Sequence, residues 1–373
     1  LLSGFSIHYS SSARPLASWA GVRHYYYLRI RRVVPIFLVA VSLTLLLLWM
    51  GMQLGLPSFS DRWQQFDLRS LLFTLGFMAD RDGICGRWAT VLPANPPIWS
   101  LAYEMFYYLI YPIFWFVLQK FGLRITLAIS LCLSGVAAAT GMVHCDHLLN
   151  VLALYGVWCI GAATADLKLR QRRIGIPRYF AYLLIPLALY AIWITAESAW
   201  NKFDTPLWIA VFVPLLVYPV SNATEQSLTL KQRVGLVVLA SIVIALVMSL
   251  ALRYPLARDM VSLYIRFALL GLMWLLLIAT DNAPWRARLR SWLIHRLEPL
   301  GRISYALYLL HYPILVFAFS LTLHWTISAI WALLCLPVVI GAAWVLERKF
   351  QPAVVRHWDA RIAAPVFRIT VRS

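Results

Sequence analysis

Apolar runs of about 20 residues recur along this chain, each long enough for a helix to cross a hydrocarbon core. They lie near 33–54, 98–118, 124–143, 148–165, 179–196, 205–221, 234–252, 260–280, 303–322 and 325–346. Short stretches rich in Arg, Pro and Gly punctuate them, and the pattern predicts ten spans in one membrane domain over 1–373. The run LRSLLFTLGFM (68–78) is too short to cross comfortably and is expected as a re-entrant or interfacial segment. Residues 1–9 lack the charged and apolar regions of a signal peptide and are expected to be the remnant of an earlier, truncated span.

Composition turns that pattern into a class. Of 373 residues, 62% are hydrophobic and 13% charged, against about 45–50% and about 25% in a soluble domain. The expected fold is therefore an all-α polytopic membrane bundle, not a soluble core with one anchor. A formal charge of +18 would point to nucleic acid in a soluble domain. In a bundle, Lys and Arg collect instead in cytoplasmic loops. With residues before 33 cytoplasmic, 25 of the 33 Lys and Arg fall on that side, 7 on the other, and Arg266 inside a span. The segment 347–373 is then a basic cytoplasmic tail attracted to anionic lipid.

Several minor features change little. Five cysteines without a CxxC pair give no disulfide framework, although Cys85 and Cys145 share the outer side. His144-Cys145-Asp146-His147 has metal-ligand residue types, but in a short outer loop, and no metal site is expected. Asn222-Ala223-Thr224 matches a glycosylation acceptor on the cytoplasmic side, where it is read as chance.

Chemistry concentrates in three places. In PPIWSLAYEMFYYLIYP (96–112), Ser100, Glu104, Tyr107 and Tyr111 share one helical face. A carboxylate inside a bilayer costs several kcal/mol unless it meets a partner or a wet cavity, so Glu104 is expected to point into the bundle. In GRISYALYLLHYPIL (301–315), Ser304, Tyr308 and His311 form a second stripe, with His311 half-way along its span. Sequence leaves open whether Glu104 and His311 meet, and whether each is a site residue or a satisfied core group. In VRHYYYLRIRRVVP (22–35), Arg23, Arg29, Arg31 and Arg32 crowd the cytoplasmic interface. Guanidinium forks bind phosphate bidentately, so a phosphate-bearing cosubstrate is one reading and an orienting flank the other.

Together the three stretches resemble the acyltransferase-3 family of membrane O-acyltransferases. The likeness is carried by the SGF of residues 3–5 followed by Arg29, Arg32 and Pro35. It continues in Trp99, Ser100, Leu101, Glu104, Tyr107, Tyr108 and Pro112, and in Gly301, Ser304, Tyr305, Tyr308, His311 and Pro313. The resemblance implies transfer of an acyl group, usually acetyl, from cytoplasmic acyl-CoA to a hydroxyl of an extracytoplasmic glycan or lipid-linked saccharide. It implies no permanently bound cofactor, acetyl-CoA as cosubstrate, and a place in the cell inner membrane. The family's first span carries an Arg and, about ten residues on, the His thought to be catalytic. Neither stands ahead of SGF here, which reads as either a fragment of an active enzyme or a lost base.

The expected site follows. Arg29, Arg32 and Arg31 hold the acyl-CoA phosphates. Glu104, His311 and Ser100 are the candidate catalytic residues, with Trp99, Tyr107, Ser304 and Tyr308 lining the substrate cavity. Two other readings remain at this stage: a transporter or flippase for a polar glycan or lipid, and a catalytically inactive family member.

Overall fold

The computed structural model describes residues 2–12, 16–79, 90–144, 147–170, 229, 231–232, 234–238, 284–321 and 328–360. The regular elements among these residues are helical: α1 (Leu2–Ser11), α2 (Trp19–Gln53), α3 (Pro57–Gln64), α4 (Leu68–Leu75), α5 (Trp99–His144), α6 (His147–Leu169), α7 (Pro284–Leu321), α8 (Ser328–Val345) and α9 (Gln351–Trp358). A 3₁₀ turn over Pro96–Ile98 leads into α5, and a π-helical turn over Leu346–Phe350 joins α8 to α9. Four stretches of the described residues are long and apolar enough to cross a membrane: Trp19–Gln53, Pro96–Thr140, Leu148–Leu169 and His295–Leu321. The expected spans at 179–196, 205–221 and 260–280, and most of 234–252, lie outside the described residues, as do Cys85, Cys145, Asp146, the 222–224 acceptor and Arg266.

The break expected between 118 and 124 is present inside α5. Gly122 takes φ +78, in the region that favours glycine, and the chain is helical on both sides of it. The segment expected not to cross is α4, only eight residues long. Its face is inverted relative to a soluble helix: Ser70 and Thr74 are buried while Leu68 and Leu72 are exposed. That arrangement suits leucines against lipid and hydroxyls against protein, with Ser70 and Thr90 hydroxyls 3.2 Å apart. Asp67 caps α4 by accepting from the Ser70 amide at 2.7 Å.

The chain divides into two compact units, Leu1–Ser10 with Leu154–Ile294, and Ser11–Ala153 with His295–Ser373. In the first, α1 packs on α6 with no room for a side chain at Gly4. A Cβ there would lie 2.1 Å from the Trp158 carbonyl oxygen. Buried His8 lies with Nε2 3.5 Å from Asp166 Oδ1, and Asp166 also accepts from Arg170 Nε at 2.9 Å.

The second unit carries both polar stripes. Along the first half of α5, Tyr107, Tyr111, Phe114 and Leu118 are buried while Leu109, Ile113 and Phe116 are exposed. One face therefore packs on protein and the other presents aliphatic and aromatic surface suited to lipid. Leu48, Phe59 and Ala94 form a core with Trp63, Phe66, Val316 and Phe317 against it, which pins α3 and the chain before α5 to α2 and α7.

Pro35, Pro112, Pro299, Pro313 and Pro337 lie inside helices of this unit, and at two of them, Pro112 and Pro313, another element claims the freed carbonyl. Proline lacks an N–H, so the carbonyl four residues earlier loses its helical partner. In lipid such a group must find another donor. Pro112 frees the Tyr108 carbonyl, and the Tyr25 hydroxyl of α2 donates to it at 3.2 Å. Pro313 frees the Leu309 carbonyl, and the Asn95 amide donates to it at 3.0 Å. Asn95 is fully buried and follows no apolar periodicity, so the sequence pattern gave no signal for it.

Gly4→Ala is expected to destabilise the detergent-solubilised protein by roughly 1–3 kcal/mol, the usual cost of overpacking, in thermal unfolding. Asp67→Ala is expected to cost about 1 kcal/mol at neutral pH, seen as faster amide exchange in α4. The hydrogen bonds from Ser70 hold the Asp67 carboxyl below its ordinary value. A depressed folded value means the cap contributes fully above the unfolded carboxylate range and is lost as pH falls through the folded value. Wild type and Asp67→Ala should therefore converge in acid.

Candidate functional site

The two polar stripes meet. Ser100 Oγ lies 2.6 Å from the Tyr308 hydroxyl, and that hydroxyl donates to the Pro97 carbonyl at 2.6 Å. A carbonyl only accepts, so the single Tyr308 proton goes to Pro97 and Ser100 donates to Tyr308. The order of contacts shows α5 and α7 running antiparallel here: Asn95 meets Leu309, and Pro97 and Ser100 meet Tyr308.

Glu104 accepts from the Tyr108 hydroxyl one turn further on. Its charge also reaches Tyr308. His311 lies in the other direction from the Ser100–Tyr308 contact. Four residues along α5 and three along α7, in opposite senses, separate Glu104 and His311 by about 10 Å along the helix axes. The Ser100–Tyr308 contact lies between them along the helices.

The His311 Nδ1 is 2.7 Å from the Tyr308 carbonyl. Because that oxygen can only accept, Nδ1 carries the hydrogen in the neutral ring and Nε2 keeps its lone pair. His311 is half-buried, so the geometry presents an imidazole acceptor beside a hydroxyl pair. Beyond it, Tyr312 meets Arg62, whose guanidinium lies 5.8 Å from the Tyr312 ring centre and donates to the Pro93 carbonyl at 2.8 Å.

The other expected cavity residues separate into two groups. Trp99 packs edge-on against Tyr103 with centroids 5.1 Å apart, and Ser304 is exposed and donates to the Gly301 carbonyl at 2.8 Å. Tyr107 is buried and its hydroxyl donates to the Val151 carbonyl at 2.8 Å. That bond fastens α5 to α6 and makes Tyr107 a structural tie as placed.

The arginines divide by partner. Arg32 grips Glu347 with both nitrogens, Nη1 to Oε2 at 2.7 Å and Nη2 to Oε1 at 3.3 Å, and also donates to Gln351 Oε1 at 2.8 Å. The Glu347 side chain is 1% exposed. Arg31 donates to both Asp359 oxygens at 2.7 Å, and this pair is 27% and 41% exposed. The Tyr27 hydroxyl bond, followed by Arg31, holds the Asp359 carboxyl below the usual carboxylate range. Arg29 lies 5.3 Å from the Tyr25 ring centre and 5.9 Å from that of Tyr108, and donates to Ser11 Oγ at 3.0 Å.

Sequence reading missed Asn95, Glu347 and Asp359. The last two lie in the segment expected as a basic tail, where net charge concealed two acids. A helical phase places Glu347 and Gln351 on one face, which was the available signal. Among the described residues no group of His, Cys, Asp or Glu is placed to hold a metal ion.

An all-helical, membrane-embedded protein with a Ser–Tyr–Glu constellation between two spans is the class these observations define. The model of one family, described as an acyltransferase domain (Acyl_transf_3), matches residues 1–224, and the chain belongs to that family of membrane acyltransferases. No curated protein and no solved structure gives a significant match. The match ends before α7, so the 301–315 motif joins the site through the Ser100–Tyr308 contact.

Arg32→Met is expected to cost about 3–5 kcal/mol, because it strands a buried carboxylate. Arg31→Met, at an exposed pair, should cost no more than about 1 kcal/mol. Denaturant unfolding in detergent, or loss of folded protein on heating, measures the difference.

Proposed function

We propose that this protein moves an acyl group, acetyl in the simplest case, from cytoplasmic acyl-CoA to a hydroxyl of an extracytoplasmic glycan or lipid-linked saccharide. The observation that carries the reading is the 2.6 Å contact between Ser100 and Tyr308, which joins the two motif stripes within a chain of an acyltransferase family. The charge asymmetry of the loops supports a cytoplasmic C-terminus, and the family supports a place in the cell inner membrane.

Donor binding falls to the arginines of α2. The exposed Arg31–Asp359 pair is worth little in water, so a CoA phosphate can take the place of Asp359 there, with Arg29 beside it. Arg32 contributes from its anchored position against Glu347 and Gln351. No permanently bound cofactor is needed.

Transfer is direct. The acceptor hydroxyl gives its proton to an imidazole acceptor, which among the residues of this site is His311 Nε2. The acceptor oxygen attacks the thioester carbonyl, and Tyr308 turns its proton from Pro97 to the oxyanion. Collapse breaks the carbon–sulfur bond, and the departing CoA thiolate takes the proton back from His311. Glu104 holds the hydroxyl network through Tyr108 and the field around Tyr305 and Tyr308. A wrong charge there raises the barrier without blocking donor binding.

The test follows radiolabelled acetyl from acetyl-CoA into extractable glycan or lipid-linked sugar, in membranes from cells expressing the full-length protein. Glu104→Gln and His311→Gln are expected to lower kcat by about 10²–10⁴, the range for general acid–base groups, and Arg29→Ala to raise KM for acetyl-CoA. Abundant, folded wild-type protein that consumes no acyl-CoA would refute the reading and favour a transporter or an inactive relative.

A further inference from the structure

We infer that Asn95 is a positioning residue that fixes the proline-opened turn of α7, which carries His311 and directly follows Tyr308. The role in catalysis rests on the acyl-transfer reading above; the effect on His311 does not.

Pro313 lies inside α7. Without its N–H, the turn from Leu309 to Pro313 is open, and His311 lies inside that opened turn. Asn95 Nδ2 closes it from outside by donating to the Leu309 carbonyl at 3.0 Å. The same nitrogen donates to Thr44 Oγ1 at 3.1 Å. Thr44 gives its own proton to the Ala40 carbonyl at 2.7 Å, so its oxygen faces Asn95 as an acceptor. Both neighbours of Nδ2 therefore accept, and the reversed amide would set Oδ1 against two acceptors.

Only one orientation of the amide fits. It joins three pieces of backbone: α2 at Thr44, the turn entering α5, and α7 at Leu309. Asn95 is fully buried, and its Oδ1 is buried without a hydrogen-bond partner. The side chain is thus committed through its donor end alone. The residue lies five positions before Ser100, and the carbonyl it grips is one residue beyond Tyr308 and two before His311. Releasing that carbonyl lets the opened turn move. Tyr308, whose carbonyl holds His311 Nδ1 and whose hydroxyl meets Ser100, directly precedes that turn. Asn95 touches no reacting atom and acts through α7.

The test uses the full-length protein in detergent or nanodiscs. Asn95→Asp keeps the shape and leaves one proton at most where Nδ2 supplies two. Asn95→Ala removes the side chain, and Pro313→Ala returns an N–H to the Leu309 carbonyl within the helix. With acetyl-CoA turnover as readout, Asn95→Asp should lower kcat on the order of a hundredfold, the cost of about an ångström of misplacement, with KM for acetyl-CoA unchanged. In the Asn95→Ala/Pro313→Ala double variant, thermal stability should recover towards wild type while kcat stays low, because the carbonyl is satisfied but the turn is straightened. Recovery of stability and kcat together would show that Asn95 merely satisfied an orphan acceptor, and would overturn the inference.

A second readout is independent of activity. Selective ¹⁵N-histidine NMR, assigned with His311→Gln, should show His311 as the Nδ1–H tautomer in wild type and a changed tautomer balance in Asn95→Asp. An unchanged signature in folded Asn95→Asp would refute the positioning role even if the protein proves to be no acyltransferase. Absent turnover in wild type with a changed signature would refute the enzymatic reading alone.

Discussion

Hydrocarbon offers a backbone carbonyl no water, so a carbonyl released by proline is costly unless a donor from elsewhere in the protein claims it. The whole arrangement of the site depends on two such claims. Pro112 opens α5 and Tyr25 fills the gap from α2. Pro313 opens α7 and Asn95 fills that gap from the turn before α5. Each repair is also a cross-link, because the donor belongs to a different element from the acceptor. The helix defects that look like weaknesses in isolation are the points where α2, α5 and α7 are registered against one another. The Ser100–Tyr308 contact lies between the two repairs.

A second tier of order lies at the end of the bundle bearing the arginines of α2. The π-helical turn after α8 and the helix that follows bring Glu347, Gln351 and Asp359 to α2. Gln351 Nε2 donates back to the Arg32 carbonyl at 2.8 Å, so Arg32 is held at both its backbone and its side chain. The two ion pairs differ in environment and hence in meaning. One buries its acid; the other stays in reach of solvent. Three arginines within four residues thus divide their work according to what the far end of the chain offers each of them.

Glu104 and His311 illustrate how a shared stripe differs from a shared site. Both belong to polar faces that the helical period makes visible. Antiparallel packing sends them in opposite directions from the Ser100–Tyr308 contact. Tyr107, on the same face as Glu104, is instead committed to the Val151 carbonyl. A polar stripe in a membrane helix serves both chemistry and helix–helix bonding, and residue type alone does not separate the two.

Apolar run length and the Arg and Lys pattern were sufficient to define the class, because a bilayer demands long apolar helices and sorts positive charge. The same logic located the break at Gly122, the short α4 and the inward face of α5. The motif spacing gave the family. What only tertiary structure decided was pairing. Asn95 is one polar residue in a proline-rich turn, and nothing local says that it meets a carbonyl 214 residues away. Glu347 and Asp359 are hidden in a segment whose net charge is positive, and their partners lie more than 300 residues earlier. Local pattern fixes which groups are polar and which way a helix faces. Which donor meets which acceptor depends on where distant helices are brought together, and hydrogen bonds form across that distance without leaving a period in the sequence.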